Sequence, residues 1–293
     1  MSRLNLGTRA ALATMAASAV SNQAGAALGA RAFDAIGPAG VVAVRQFVAA
    51  AVLLPVARPN LRRFTWAQWW PTLLLALVFA TMNLSLYTAV DRVGLGLAVT
   101  LEFLGPLAVA LAGSRTPVDL VCAAVAGIGV YVLVLPGSSS DLTGVGLGLL
   151  AGACWAAYIL LNRLAGARLP GLQAPAAATM VSAALYLPVL VIMAVQGRFT
   201  PASLAYSIGA GVLCSVMPYA ADVIALRRVP PRFFGLLQSV HPVLAAIAGA
   251  VILGQVPALH VWLGIGIVVA TNAAAVAVAG TRAARVAAAI PAT

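Results

Sequence analysis

The chain has no lysine and little charge of either sign: of 293 residues, 8% are charged, with 17 basic and 6 acidic side chains, against roughly 25% in an ordinary soluble domain. Without lysine, a Walker phosphate loop and Schiff-base chemistry are excluded. Cysteine is scarce as well. Cys122, Cys154 and Cys214 each sit inside an apolar run and read as small packing residues, not as a disulfide frame or a metal site. Neither His241 nor His260 has a second ligand at metal spacing. No Ser/His/Asp arrangement, carboxylate cluster or cofactor loop emerges, so neither an enzyme nor a bound cofactor or metal is expected. Gly146-x-Gly148-x-x-Ala151 has the outline of a dinucleotide fingerprint, but no strand precedes it and it opens an apolar span.

What is abundant is hydrocarbon: 63% of the residues are hydrophobic. Apolar stretches long enough to carry a helix across about 30 Å of lipid recur from near the N-terminus almost to the end. No single soluble core could hide them. The chain therefore reads as an all-α, polytopic integral membrane protein. Turn and charge signals predict ten spans, at 10–30, 38–57, 70–90, 94–113, 117–136, 143–163, 174–196, 202–226, 232–253 and 258–280. Arg3, Arg9 and the Ala-rich run ending near Gly29-Ala30 have the outline of a secretory leader. Ser18, Ser21, Asn22 and Gln23 interrupt that run, and the segment is expected to stay as the first span.

The net charge of +11 needs no nucleic-acid partner, because the arginines are scattered through short loops. Placing the N-terminus in the cytoplasm puts thirteen of them on the inner side and only Arg31, Arg92 and Arg198 on the outer side. That bias is the positive-inside rule, and it predicts both termini inside. Arg45 alone falls within a span.

An internal repeat adds a constraint. The segment from Ala89 to Gly113 lies on Ala225 to Gly249 with a constant shift of 136, and eight of the twenty-five positions are identical, where composition alone gives about two or three. Pro106 falls on Pro242, Glu102 on Gln238 and Gly105 on His241. Asn83 and Tyr219 are equivalent too. The expected halves, 1–136 and 137–293, hold five helices each, and an odd number forces them into opposite orientations within a single transporter domain. Inverted repeats of this kind characterise secondary transporters with substrate held near the midplane.

Ionisable groups at bilayer depth are costly and so are candidates for function. Glu102 lies roughly 12 Å into its helix, one turn before a proline that removes a backbone donor. Such a carboxylate suits an ammonium group or a proton, or else a structural ion pair with Arg45. His241 reads equally as a substrate or proton group and as a neutral ring bonded to a neighbouring helix. Gln238 comes with it as a repeat mate. Asp222, near a cytoplasmic end, is an entrance residue or a solvated partner of Arg227 or Arg228. Asn83, Tyr87, Trp155, Tyr158 and Tyr219 can supply hydrogen bonds and an aromatic wall. Gly25-x-x-x-Gly29 is a helix-packing motif of low specificity.

Val99-Thr-Leu-Glu102-Phe-Leu-Gly105-Pro106, followed by Ser114-Arg-Thr-Pro117-Val-Asp119, resembles the bacterial threonine/homoserine exporters of the EamA-type branch of the drug/metabolite transporters. So do Gly152-Ala-Cys-Trp155-Ala-Ala-Tyr158 and Pro218-Tyr219 with Ile224-Ala-Leu-Arg-Arg-Val-Pro230. The resemblance implies a ten-helix inner-membrane carrier of two inverted repeats that exports small amino acids or related metabolites. Its energy source would be proton antiport rather than a cofactor. His241 stands where a second carboxylate is expected, and Asp222 where glutamate is more usual. The alternatives are an exporter of cationic drugs, a nucleotide-sugar-like carrier, or a non-transporting receptor or intramembrane enzyme. The oligomeric state stays open, a homodimer included.

Overall fold

A computed structural model of the chain describes residues 6–112, 117–135, 141–217 and 239–289. Every regular element among them is helical. The helices are α1 (Leu6–Ala30), α2 (Phe33–Ala57), α3 (Trp66–Val93), α4 (Leu95–Glu102), α5 (Leu104–Ala112), α6 (Pro117–Val134), α7 (Leu142–Gly166), α8 (Gln173–Val195), α9 (Pro201–Gly211), α10 (His241–Leu253) and α11 (Leu259–Ala289). A short 3-10 turn, Leu61–Arg63, precedes α3, and α9 runs on into a π turn, Val212–Val216.

Local chemistry explains the boundaries. Thr65 and Gln68 form a reciprocal capping box at the start of α3, and Thr200 with Ser203 does the same for α9, with Pro201 opening the helix. Within α2 the helix is broken at Gly37, whose φ of 65° is left-handed, so the straight portion starts at Pro38 as the sequence predicts. The predicted fourth span is interrupted. Its two pieces, α4 and α5, meet at Phe103 because Pro106 cannot donate to the Glu102 carbonyl. The predicted last span, 258–280, extends further, to Ala289.

Among the described residues, five helices are long and apolar enough to cross a membrane: Phe33–Ala57, Trp66–Val93, Leu142–Gly166, Gln173–Val195 and Leu259–Val278. Shorter apolar stretches run over Leu95–Val109, Leu120–Val134, Pro201–Ser215 and His241–Leu253. The bundle turns large aliphatic side chains such as Leu77, Ile128, Leu160 and Val191 outward, the arrangement lipid demands. Many hydroxyls inside it return to their own helix, whereas Tyr186 of α8 donates across to the Ala80 carbonyl of α3 at 2.8 Å. Thr72, Ser85, Thr100, Thr179, Ser207 and Thr271 each donate to the carbonyl one turn back.

Helices pack mainly against partners from the other side of residues 136–140. Thus α1 lies on α9 and α10, α2 on α8 and α9, α3 on α7 and α8, α4 on α7 and α10, and α6 on α11. Small residues permit the closest crossings. A Cβ on Gly105 of α5 would overlap the carbonyl oxygen of Gly152 in α7, while one on Gly264 of α11 would lie 2.6 Å from Leu133 of α6. At one end of the bundle, side chains join loops across the same divide. Arg92 forms an ion pair with Asp141 at 2.9 Å. Gln255 Oε1 accepts from the backbone N–H of Leu95 at 3.0 Å, and Arg198 donates to the Ala35 carbonyl at 2.9 Å. At the opposite end Arg168 donates to the Ala67 carbonyl and Gln68 donates to the Arg168 carbonyl.

Two outcomes follow for purified protein in detergent. Gly105→Ala lowers stability by about 2 kcal/mol or more, since the new methyl meets backbone and not a side chain that can turn away. Gly146→Ala, whose Cβ meets nothing within 4 Å, is neutral or raises stability by up to about 1 kcal/mol. Thermal unfolding of the two variants checks the contrast. The Asp141 carboxyl is held below its ordinary range first by the Gly144 N–H at 2.9 Å and then by Arg92. Its contribution is therefore present above the ordinary carboxylate value and disappears as pH falls below it. The acid-side fall in melting temperature is expected to be shallower in Asp141→Asn.

Candidate functional site

The break between α4 and α5 brings chemistry into the interior. Glu102 is the last residue of α4 and is 5% exposed. Its backbone carbonyl and that of Leu101 face Gly152, where a Cβ would lie 3.1 and 2.9 Å from the two oxygens. Next to it Phe103 is buried and turns its ring between two neighbours. It meets Trp155 of α7 edge-on, with centroids 4.7 Å apart, and stacks on His241 at the start of α10, with centroids 5.4 Å apart.

His241 is tied onward to α1. Its Nδ1 lies 3.0 Å from the amide nitrogen of Gln23, which is 4% exposed. The residues just before Gln23 hold the π turn that continues α9. Ser21 donates its hydroxyl to the Leu213 carbonyl at 3.0 Å, and the Cys214 thiol donates to the Asn22 carbonyl at 3.1 Å. Gly25 completes this seam, since a Cβ there would lie 2.7 Å from the Cys214 sulfur. A π turn frees a carbonyl that a plain helix would use, and Ser21 takes it.

Arg45 projects from the middle of α2. Its guanidinium lies over the ring of Tyr87 from α3, 5.3 Å from the centroid, a cation–π arrangement that suits a cation in an apolar setting. Tyr87 is 1% exposed, and its hydroxyl has no hydrogen-bond partner among the described residues. Glu102 and Cys214 both lie within electrostatic range of Arg45. No ion pair within 4 Å joins Arg45 to Glu102 among the described residues, so the carboxyl group and the guanidinium share one interior without direct contact. Gln23, Arg45, Tyr87, Glu102, Cys214 and His241 each lie roughly 10 to 20 Å along their helices from the end that carries Arg92, Asp141 and Gln255.

Of the residues singled out from sequence, Glu102, Arg45, Tyr87, His241 and Trp155 lie around this interior. Asn83 does not join them by contact. Its amide donates to the Phe79 carbonyl one turn back at 2.8 Å, an acceptor shared with Gln46 at 3.5 Å. Tyr158 packs on Phe79 with centroids 5.5 Å apart, in a neighbouring cluster. Gln238, Tyr219 and Asp222 lie outside the described residues. Gln23, Phe103 and Cys214 join this group by contact without having been singled out for it. The sequence signal for Gln23 is the polar run Ser21-Asn-Gln23 inside an otherwise apolar span.

Chemically, a carboxylate and a guanidinium held apart in one apolar interior can receive a zwitterion, and the aromatic faces of Phe103 and Trp155 can border its carbon chain. Among the described residues no three His, Cys, Asp or Glu side chains are grouped to hold a metal ion.

Comparison with known proteins agrees with this architecture. The model of the EamA-like transporter family matches residues 142–276. Over 236 residues, 80% of each chain, the sequence is 39% identical to the threonine/homoserine exporter RhtA of Salmonella typhimurium. Over 253 residues, 85% of each chain, it is 36% identical to the protein of the same name from Escherichia coli K12. A crystal structure of another protein shares the fold, with a TM-score of 0.58 and 18% identity, covering 92% of this chain and 98% of that one. With relatives this similar along most of its length, the chain belongs to the EamA-like transporter family.

Proposed function

We propose that the chain is an alternating-access exporter of small amino acids of the threonine and homoserine type, working by proton antiport in the bacterial inner membrane with both termini in the cytoplasm. The observation that carries this reading is a carboxyl group and a guanidinium, Glu102 and Arg45, kept in one interior without a direct ion pair among the described residues. Leaving ions at this depth unpaired is costly, and a zwitterion offsets that cost by bringing a partner for each. In this reading Arg45 takes the substrate carboxylate. Glu102 takes the ammonium group in one state and a proton in the other, so that either can neutralise it but not both together. The names of the two relatives support the substrate class.

Alternating access rests on two inverted halves, and the helix pairing supports that arrangement. Exchanging each helix of the first half with its mate in the second turns the contact of α3 with α7 into that of α9 with α1. It likewise turns α3 on α8 into α9 on α2, and α4 on α7 into α10 on α1, while α2 on α8, α4 on α10 and α6 on α11 map onto themselves. Such a scaffold can rock one half against the other around a fixed centre. The orientation follows from arginine placement, since the end with Asp141 and Gln255 carries few arginines.

In proteoliposomes with an imposed pH gradient, the wild type is expected to move labelled threonine and homoserine uphill. Glu102→Gln, inserted and folded, is expected to lose the uphill component while retaining measurable binding of substrate. Unchanged uphill transport by that variant overturns the coupling role. Arg45→Met is expected to raise the half-saturating substrate concentration on the order of a hundred-fold, the loss of one charge-assisted contact, as read from initial rates.

A further inference from the structure

Within an interior where six serine and threonine hydroxyls return to their own helix, one buried amide is half used. Gln23 meets His241 Nδ1 through its nitrogen at 3.0 Å, and its Oε1 is fully shielded with no hydrogen-bond partner among the described residues. Turning the amide over does not cure this. The oxygen would then accept from Nδ1–H, and the NH2 group would be left in the same place without an acceptor. One hydrogen-bonding position of Gln23 is therefore left unfilled in either arrangement. Native interiors seldom leave such a group alone unless something else comes to it.

The surroundings narrow what that visitor is. Gln23 is neutral, and His241, its neighbour, is covered by the Phe103 ring, so this wall suits a neutral polar group better than an ion. The ammonium of an amino acid has a full counter-charge in Glu102, the residue next to Phe103, and its carboxylate has Arg45. What then remains of a hydroxylated amino acid is a short carbon chain and one O–H. The chain fits against the aromatic faces of Phe103 and Trp155. The O–H can donate to the orphaned Oε1.

We infer that the Gln23–His241 pair is the element of the site that reads a side-chain hydroxyl, with Gln23 as the specificity-determining contact and His241 as the positioning residue that orients its amide. This rests on the reading of the chain as an exporter of small amino acids. A site built to satisfy a hydroxyl rejects an analogue lacking it, because the protein group is then left unpaired. Threonine and homoserine share one deoxy analogue, 2-aminobutyrate, which keeps both charged groups and removes only the O–H.

The test measures initial export rates of the three compounds from proteoliposomes, for the wild type and for Gln23→Met, which keeps the volume and removes the amide. In the wild type, threonine and homoserine are expected to exceed 2-aminobutyrate in kcat/KM by on the order of ten- to a hundred-fold. In Gln23→Met that ratio is expected to collapse toward one, mostly through KM. His241→Phe is expected to lower the same ratio by a smaller factor. An unchanged ratio in folded Gln23→Met overturns the assignment, as does an equal loss for all three compounds. Competition in the wild type needs no variant: if 2-aminobutyrate inhibits threonine export as well as homoserine does, the hydroxyl is not read. A wild type that moves none of the three overturns the exporter reading itself, and this inference with it.

Discussion

The crossing of α5 over α7 at Gly105 and Gly152 is the contact on which the interior depends. There the backbones approach so closely that no side chain fits between them. Two glycines permit the contact, and Pro106 removes the donor that would otherwise keep α4 and α5 one continuous helix. The break falls at Phe103 as a result. It turns the Phe103 ring toward Trp155 and His241, and it leaves Glu102 at a helix end in the middle of the protein. Filling that crossing would displace the carboxylate, the aromatic pair and the histidine together.

Lipid gives the remaining side chains little freedom. With no water at this depth, polar groups satisfy themselves locally or hold another helix. The hydroxyls of Thr72, Ser85, Thr100, Thr179, Ser207 and Thr271 do the first, each through the carbonyl a turn earlier. Ser21 and Cys214 do the second, exchanging hydrogen bonds between α1 and the π turn. What does neither stands out against this background. Arg45 leans on an aromatic face, Glu102 lacks a contact ion, and Gln23 and Tyr87 keep an unfilled atom each. These exceptions surround one centre, while Ser182 of α8 keeps a further unpartnered hydroxyl among the described residues.

Much of the scaffold was legible in the sequence because prolines and glycines mark real breaks. Gly37-Pro38 is a left-handed kink, Thr200-Pro201 is a cap, and the stretch around Pro257 is the connection between α10 and α11. Glu102, Arg45, His241 and Trp155, singled out from depth and type alone, do lie around one interior. The π turn could not, since Val212-Leu-Cys-Ser-Val216 carries no proline or glycine and is held by Ser21, 192 residues away. Asn83 shows the reverse problem. Its type suggests a ligand contact, yet an amide on a helix can find a carbonyl one turn back, and sequence does not say which it takes. Gln23 was visible only as an interruption in an apolar run, because its meaning comes from a histidine on a distant helix.

The packing across residues 136–140 has a consequence for how such a chain becomes a protein at all. Nearly every described helix finds its chief neighbour among those encoded on the other side of that connection, so the helices that leave the ribosome first meet few of the surfaces they are shaped for. Their small-residue faces and their buried polar atoms wait in lipid until the second set arrives. The chain is thus committed late, as an interleaved whole, and a protein severed at that connection would still have a way to assemble provided both pieces reach the same membrane.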